Sequence, residues 1–131
     1  DVFGVSRVAF AEYAAAREDK LAPKPSTLTF EQAAAVPVSA TTAIQGLRLG
    51  RIAAGQDVLI IGASGGVGTY AVQLAKADGA EVTGVCSAAK ADLVRSLGAD
   101  HVIDYATGDA YGGPSARPAA SSSSAARAKA T

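Results

Sequence analysis

The chain has no methionine and no tryptophan, and among 131 residues it has one cysteine and one histidine. A single cysteine, Cys86, excludes an internal disulfide and a multi-cysteine zinc site. A reducing compartment, the cytoplasm, is therefore the expected location. Aromatic residues are scarce at 5%, and much of the 49% hydrophobic content is alanine. Alanine buries little area per side chain, so the expected core is thin. No apolar run approaches the roughly 18 residues of a membrane span, and neither a spanning helix nor a secretory leader is expected. Excess basic charge is also missing. Lysine plus arginine equals aspartate plus glutamate at 12 each. Residues 111–131 hold Arg117, Arg127 and Lys129 and no acid, which leaves nine basic against twelve acidic residues before them. That balance argues against a nucleic-acid partner. Beginning at Asp1 rather than at a methionine, the chain is expected to be a fragment or a processed product.

What is present falls into three zones. Residues 1–28 alternate loosely, as in Arg7-Val8-Ala9-Phe10-Ala11-Glu12-Tyr13-Ala14, and read as short strands and turns that end at Pro23 and Pro25. Residues 29–110 carry regular periodicity. Thr29 and Gln32 form a capping-box pattern that opens a helix over Phe30–Ala35, and Pro37 is expected to end or kink it. A second helix is expected over about Ser39–Leu49, with Gly50 as its stop. Val58-Leu59-Ile60-Ile61 is a continuous apolar run, as in a parallel strand buried on both faces. A helix follows, with Val67, Ala71, Leu74, Ala75 and Ala77 near helical spacing and Gly79 at its end. Glu81–Cys86 reads as a strand, Ala88–Leu97 as a helix closed by Gly98, and His101–Ile103 as a third strand. The order predicts a right-handed parallel βαβαβ unit, an α/β fold amounting to a partial Rossmann domain.

Residues 111–131 differ. Sixteen of the 21 are Ala, Ser, Pro or Gly, and none is Val, Ile, Leu or Phe. Such a segment cannot offset an ordering entropy of about 1–2 kcal/mol per residue, so disorder is expected. The composition breaks after Asp109, and a truncated or frame-shifted end is the expectation there.

Between the first strand and its helix lies Gly62-Ala63-Ser64-Gly65-Gly66-Val67-Gly68. From Ala63 it fits G-x-G-x-x-G with alanine in the first slot. Gly65 lets the backbone approach a pyrophosphate, and Gly68 lets the helix pack close to the strand. A helix starting near Gly66 aims unpaired N–H groups at the phosphates. Glycine is common in turns, so the motif alone is weak, and a ligand-free turn is the competing reading. The flanking strand, helix and second strand are what favour a dinucleotide. An acid about 20 positions beyond the glycines would hold the ribose 2′-OH of NAD. Ser87 stands there instead, with Lys90 just after it. A hydroxyl and a cation suit a 2′-phosphate, so NADP(H) is expected over NAD(H). The competing reading leaves Lys90 on a solvated face, with Asp92 close by.

Several blocks in order extend the picture: Phe10-Ala11-Glu12-Tyr13, Phe30–Pro37, Thr42-Ala43, Gly46-Leu47, the Gly62–Gly68 turn, and Leu97–Tyr105. Over about residues 1–109 the chain resembles the medium-chain dehydrogenase/reductase superfamily, within its zinc-independent quinone oxidoreductase-like group. The resemblance implies a GroES-like catalytic domain, of which residues 1–28 would be the end, followed by a Rossmann domain. It implies homodimers when full-length, a small-molecule substrate and no zinc. By it, Thr42 lies by the nicotinamide and Ser64, Gly65, Gly66 and Val67 hold the pyrophosphate. Ser87 and Lys90 hold the 2′-phosphate, and Tyr105 lies near the adenosine ribose. The implied reaction is hydride transfer to a quinone, an enone or a related activated alkene or carbonyl. Two alternatives stand beside it: a non-catalytic remnant that binds nucleotide weakly, and an enoyl reductase domain of a multidomain synthase.

Other residues invite chemical readings. Cys86, at the end of a buried strand, is expected to be a small core residue. His101 is expected to be structural, and Glu12 and Tyr13 to be barrel-strand residues. Without the resemblance, Thr42 is a helix residue bonded to its own backbone.

Overall fold

The computed structural model describes residues 1–107 and the backbone of residues 126–129. The chain divides into two compact units, Asp1–Thr41 and Thr42–Thr131. This division falls inside a helix, not between residues 28 and 29 where the prolines suggested a boundary.

In the first unit, β1 (Val2–Gly4) pairs antiparallel with β2 (Leu21–Pro23), with Val2 opposite Pro23 and Gly4 opposite Leu21. Arg7–Ala14 forms exposed bends and no strand. Its alternation has no neighbouring strand to pair with, and an unpaired strand is not stable in water. Glu12 and Tyr13 are therefore exposed bend residues rather than barrel-strand residues.

Helix α1 runs unbroken from Phe30 to Leu49. The capping box at its start is complete. The Thr29 amide donates to Gln32 Oε1 at 2.9 Å, and the Gln32 amide donates to Thr29 Oγ1 at 3.2 Å. The backbone amide of Glu31, and then the Thr29 side chain, hold the Glu31 carboxyl below its ordinary pKa. Pro37 lies inside the helix and does not end it, which corrects the expected pair of helices. Proline removes one backbone donor, but its fixed φ is already helical. The surrounding turns hold Ala33, Ala34, Ala35, Ala40 and Ala43, the residue type with the highest helix propensity. At the far end the left-handed residue is Arg51, at φ 50°, and not Gly50. Its amide bonds Arg48 O at 3.0 Å, and the Ile52 amide bonds Leu47 O at 3.1 Å.

The second unit is a parallel sheet with helices between its strands. β3 (Asp57–Ile61) is followed by α2 (Gly66–Ala77) and β4 (Glu81–Cys86). A short 3-10 turn over Ala88–Lys90 leads into α3 (Ala91–Ser96), and β5 (His101–Asp104) follows. The expected single helix over Ala88–Leu97 is thus a 3-10 turn joined to a short α-helix. Gly79 and Gly98 close the two helices at φ 82° and 107°, conformations that glycine adopts without a Cβ penalty. β3, β4 and β5 run parallel, with Ile61 beside Val85 and Cys86 beside Asp104. A fourth strand, β6 (Ala126–Lys129), pairs parallel with β3 on the other side, giving the order β5-β4-β3-β6. The disorder expected of residues 111–131 mostly concerns residues outside the described set. For residues 126–129 the structure has a strand instead, because a parallel ladder draws on backbone groups and does not require apolar side chains.

Val58 and Ile60 of β3, Val82 and Cys86 of β4, Val72 of α2 and Val94 of α3 form one buried cluster. Small residues fill it in: Ala71, Ala75, Ala80 and Ala99, with Ala43 and Leu47 from the end of α1. Each fully buried valine contributes about 1.5–3 kcal/mol and each alanine much less, as the alanine-rich composition predicted. Leu59 and Ile61 are only half-buried, so β3 is fully covered on one face and partly on the other.

Candidate functional site

The strand register decides what meets at the carboxyl edge. Because β3, β4 and β5 end level with one another, three connections leave the sheet side by side. These are the turn after Ile61, Ser87 after Cys86, and Tyr105 after Asp104. In open α/β sheets this edge is where ligands bind.

The turn after β3 is pinned before it opens. The amides of Gly62 and Ala63 both donate to Val85 O, each at 3.0 Å, which ties the turn to the neighbouring strand. Gly62 takes φ 77°, so the left-handed step of the turn falls on Gly62. Ala63 is completely buried and packs toward Gly84. The Gly65 amide donates back to Gly62 O at 2.9 Å, and the Thr69 amide donates to Gly65 O at 2.9 Å as the first helical bond. Between those two bonds lie the amides of Gly66, Val67 and Gly68. Among the described residues none of the three has an acceptor. They are the first residues of a 12-residue helix whose N-cap, Gly65, offers no side-chain oxygen. A donor triplet at the positive end of a helix is the arrangement that accepts an anion.

Glycine is required at Gly68 by close approach. A Cβ there would overlap the Gly62 carbonyl oxygen and stand 2.8 Å from Ala63 Cα. At Gly65 an added Cβ would meet only Gly62 O, at 3.2 Å. Gly65 and Gly66 are exposed and Ser64 and Val67 half-buried, so the open amides face an accessible surface with no Cβ at the first helical position.

Ser87 is half-buried and caps the 3-10 turn, whose last residue, Lys90, is exposed. Arg95, on the following helix, bonds Asp92 at 3.0 Å, so that carboxylate is matched by a cation of its own. Tyr105 has an exposed side chain, and its amide donates to Cys86 O at 3.1 Å, which fixes the backbone beside Ser87. The structure thus brings Ser64–Gly68, Ser87, Lys90 and Tyr105 to one edge. Thr42 is exposed on α1. Sequence reasoning missed the Val85 carbonyl as the anchor of the turn. Only strand register reveals it, although Gly62 directly after the apolar run was a signal for the left-handed step.

Cys86 is buried, and burial pushes its thiol pKa up, with Asp104 adding to the effect. A buried thiol with a raised pKa is a packing residue. His101 bonds Glu81 at 2.9 Å at the opposite, amino edge of the sheet. No group of three or more His, Cys, Asp or Glu residues with metal-binding geometry occurs among the described residues.

Several known proteins are similar to this chain. The model of the zinc-binding dehydrogenase family matches residues 66–115. The mitochondrial NAD(P)H oxidoreductase RTN4IP1 of Mus musculus is 46% identical over 103 residues, 75% of this chain and 26% of that protein. The chloroplastic quinone-oxidoreductase homolog of Spinacia oleracea is 45% identical over 105 residues, 76% of this chain and 32% of that protein. The quinone oxidoreductase structure from Coxiella burnetii superposes with a TM-score of 0.79 at 35% identity, over 82% of this chain and 36% of that one. The chain belongs to the medium-chain dehydrogenase/reductase superfamily, in its quinone oxidoreductase-like branch. It spans between 26% and 32% of the length of the two curated relatives just described. A polyketide synthase system protein, NorB of Streptomyces orinoci, is 47% identical over 111 residues, 82% of this chain and 5% of that protein.

Proposed function

We propose that this chain is the nucleotide-binding part of an NADP(H)-dependent oxidoreductase that acts on a quinone, an enone or a related activated alkene or carbonyl. The observation that carries the reading is the run of three open amides at Gly66, Val67 and Gly68 on the carboxyl edge. Those donors hold the pyrophosphate, with Ser64 and Gly65 shaping its approach. Ser87 and Lys90 receive the 2′-phosphate, where a carboxylate would repel it. Tyr105 covers the adenosine ribose, and Thr42 stands by the nicotinamide. When bound, the nicotinamide supplies the hydride, and the chain supplies position and electrostatics. The reaction uses no zinc, the complete protein is a homodimer, and a reducing compartment such as the cytoplasm suits its single free cysteine. Some relatives have mitochondrial or chloroplastic in their names.

The similarity to a polyketide synthase protein favours a second reading, in which the same turn serves an enoyl reductase domain within a synthase. The cofactor chemistry is common to both.

Nucleotide titration of the 131-residue chain, followed by reduced-nicotinamide fluorescence, tests the proposal. NADPH is expected to bind at least about tenfold tighter than NADH, the worth of one charge-assisted pair. Equal affinities would remove the roles of Ser87 and Lys90. No binding of either nucleotide would remove the reading, and leave a remnant that does not hold cofactor.

A further inference from the structure

A groove at the other end of α2 has no part in the nucleotide reading. It lies between the end of α1, the connection after it and the last turn of α2, and encloses about 480 Å³. That volume suits a small ligand. Its apolar lining comes from Leu47, which is buried, and from Ile44, Ile52 and Leu74, which are half-buried. Arg48, Arg51 and Asp78 line it too and are exposed. Neither guanidinium has an ion-pair or hydrogen-bond partner among the described residues.

Arg48 has an ordinary explanation, since a cation in the last turn complements the helix dipole. Arg51 does not. It lies past the helix at φ 50°, a left-handed conformation that is strained for an L-residue. Glycine would hold the same turn with less strain. What arginine adds at that position is a guanidinium on the groove. With Asp78 opposing two arginines, the lining has one net positive charge, which suits a monoanion better than a phosphate dianion.

We propose that this groove binds a small amphipathic monocarboxylate. Its apolar tail lies over Leu47, Ile52 and Leu74, and its carboxylate is held by Arg48 and Arg51. Arginine forks match a carboxylate in both geometry and charge. Gly66 lies eight residues before Leu74 and twelve before Asp78, about 12 and 18 Å at 1.5 Å per residue, so the groove and the nucleotide edge are separate sites.

The test is a titration of the 131-residue chain with octanoate, read by methyl NMR of its isoleucines and leucines. Saturable shifts are expected at Ile52, Leu47 and Leu74, with octanol binding about tenfold more weakly because it lacks the charge. Arg51→Gly is expected to lose about tenfold in octanoate affinity while its Tm holds or rises as the strain is relieved. Arg48→Gln should weaken binding without removing the apolar shifts. Octanol binding as tightly as octanoate, shifts scattered over the surface, or full affinity in Arg51→Gly would each overturn the proposal. A fall in the Tm of Arg51→Gly would overturn the argument from strain.

Discussion

The two edges of one sheet treat their polar groups in opposite ways. At the amino edge, charged side chains neutralise one another. Lys76 Nζ lies 2.8 and 2.9 Å from the two oxygens of Asp100 and donates to Ala80 O at 3.0 Å. Asp100 also accepts the Val82 amide at 2.7 Å, and His101 meets Glu81 beside it. At the carboxyl edge, the same strands end in a turn whose first helical amides are left open. One edge has its hydrogen bonds completed by the chain itself, and the other has donors in reserve. Every helix start leaves its first amides without an intrahelical partner, and here the proposed function assigns that aligned set of donors to the cofactor's pyrophosphate. Under the proposed function, the amino edge stabilises and the carboxyl edge binds.

Substitutions should separate the two roles. The largest effect is expected at Gly68, where the fold and the site coincide. Gly68→Ala forces a Cβ against Gly62 O and Ala63 Cα and should cost about 2–3 kcal/mol, measured by urea unfolding. Nucleotide binding should fall with it, because α2 must move off β3. Next comes Lys90→Glu at the carboxyl edge. It should weaken NADPH about tenfold relative to NADH, by titration, and leave stability within about 0.5 kcal/mol. Asp100→Asn at the amino edge should do the reverse, costing about 1–2 kcal/mol of stability with nucleotide affinity unchanged.

Asp100 also has a pH signature. The Lys76 ammonium, and then the Val82 amide, hold its pKa below the ordinary carboxylate value. Its contribution is therefore present above the unfolded carboxylate pKa of about 3.9 and is lost as pH falls through the lower folded value. Acid unfolding of Asp100→Asn should lack that component. The smallest effect is expected at His101→Ala. Both partners in that pair are more than half exposed, and thermal melts should change by less than about 0.5 kcal/mol.

Much of this contrast was legible in the residues. Strong local periodicity located β3, β4 and β5 to within a residue, because β-branched runs bounded by glycine permit few alternatives. The glycine turn declared itself through its spacing. Pro37 misled, because its ring blocks one hydrogen bond and yet suits helical φ, and only the helix as a whole decides which effect wins. Arg7–Ala14 misled for another reason: alternation is a local pattern, while a strand needs a partner. The tie from Gly62 and Ala63 to Val85 O, and the clamp from Lys76 to Asp100 across 24 positions of sequence, depend on register. No short window of sequence contains them.

The most direct measurement is amide NMR of the 131-residue chain titrated with NADPH. The amides of Gly66, Val67 and Gly68 should move most, those of Asp100 and His101 should stay still, and NADH should produce smaller shifts at Ser87 and Lys90. Stationary Gly66–Gly68 amides at saturating nucleotide would contradict the claim that this turn is where the chain holds its cofactor.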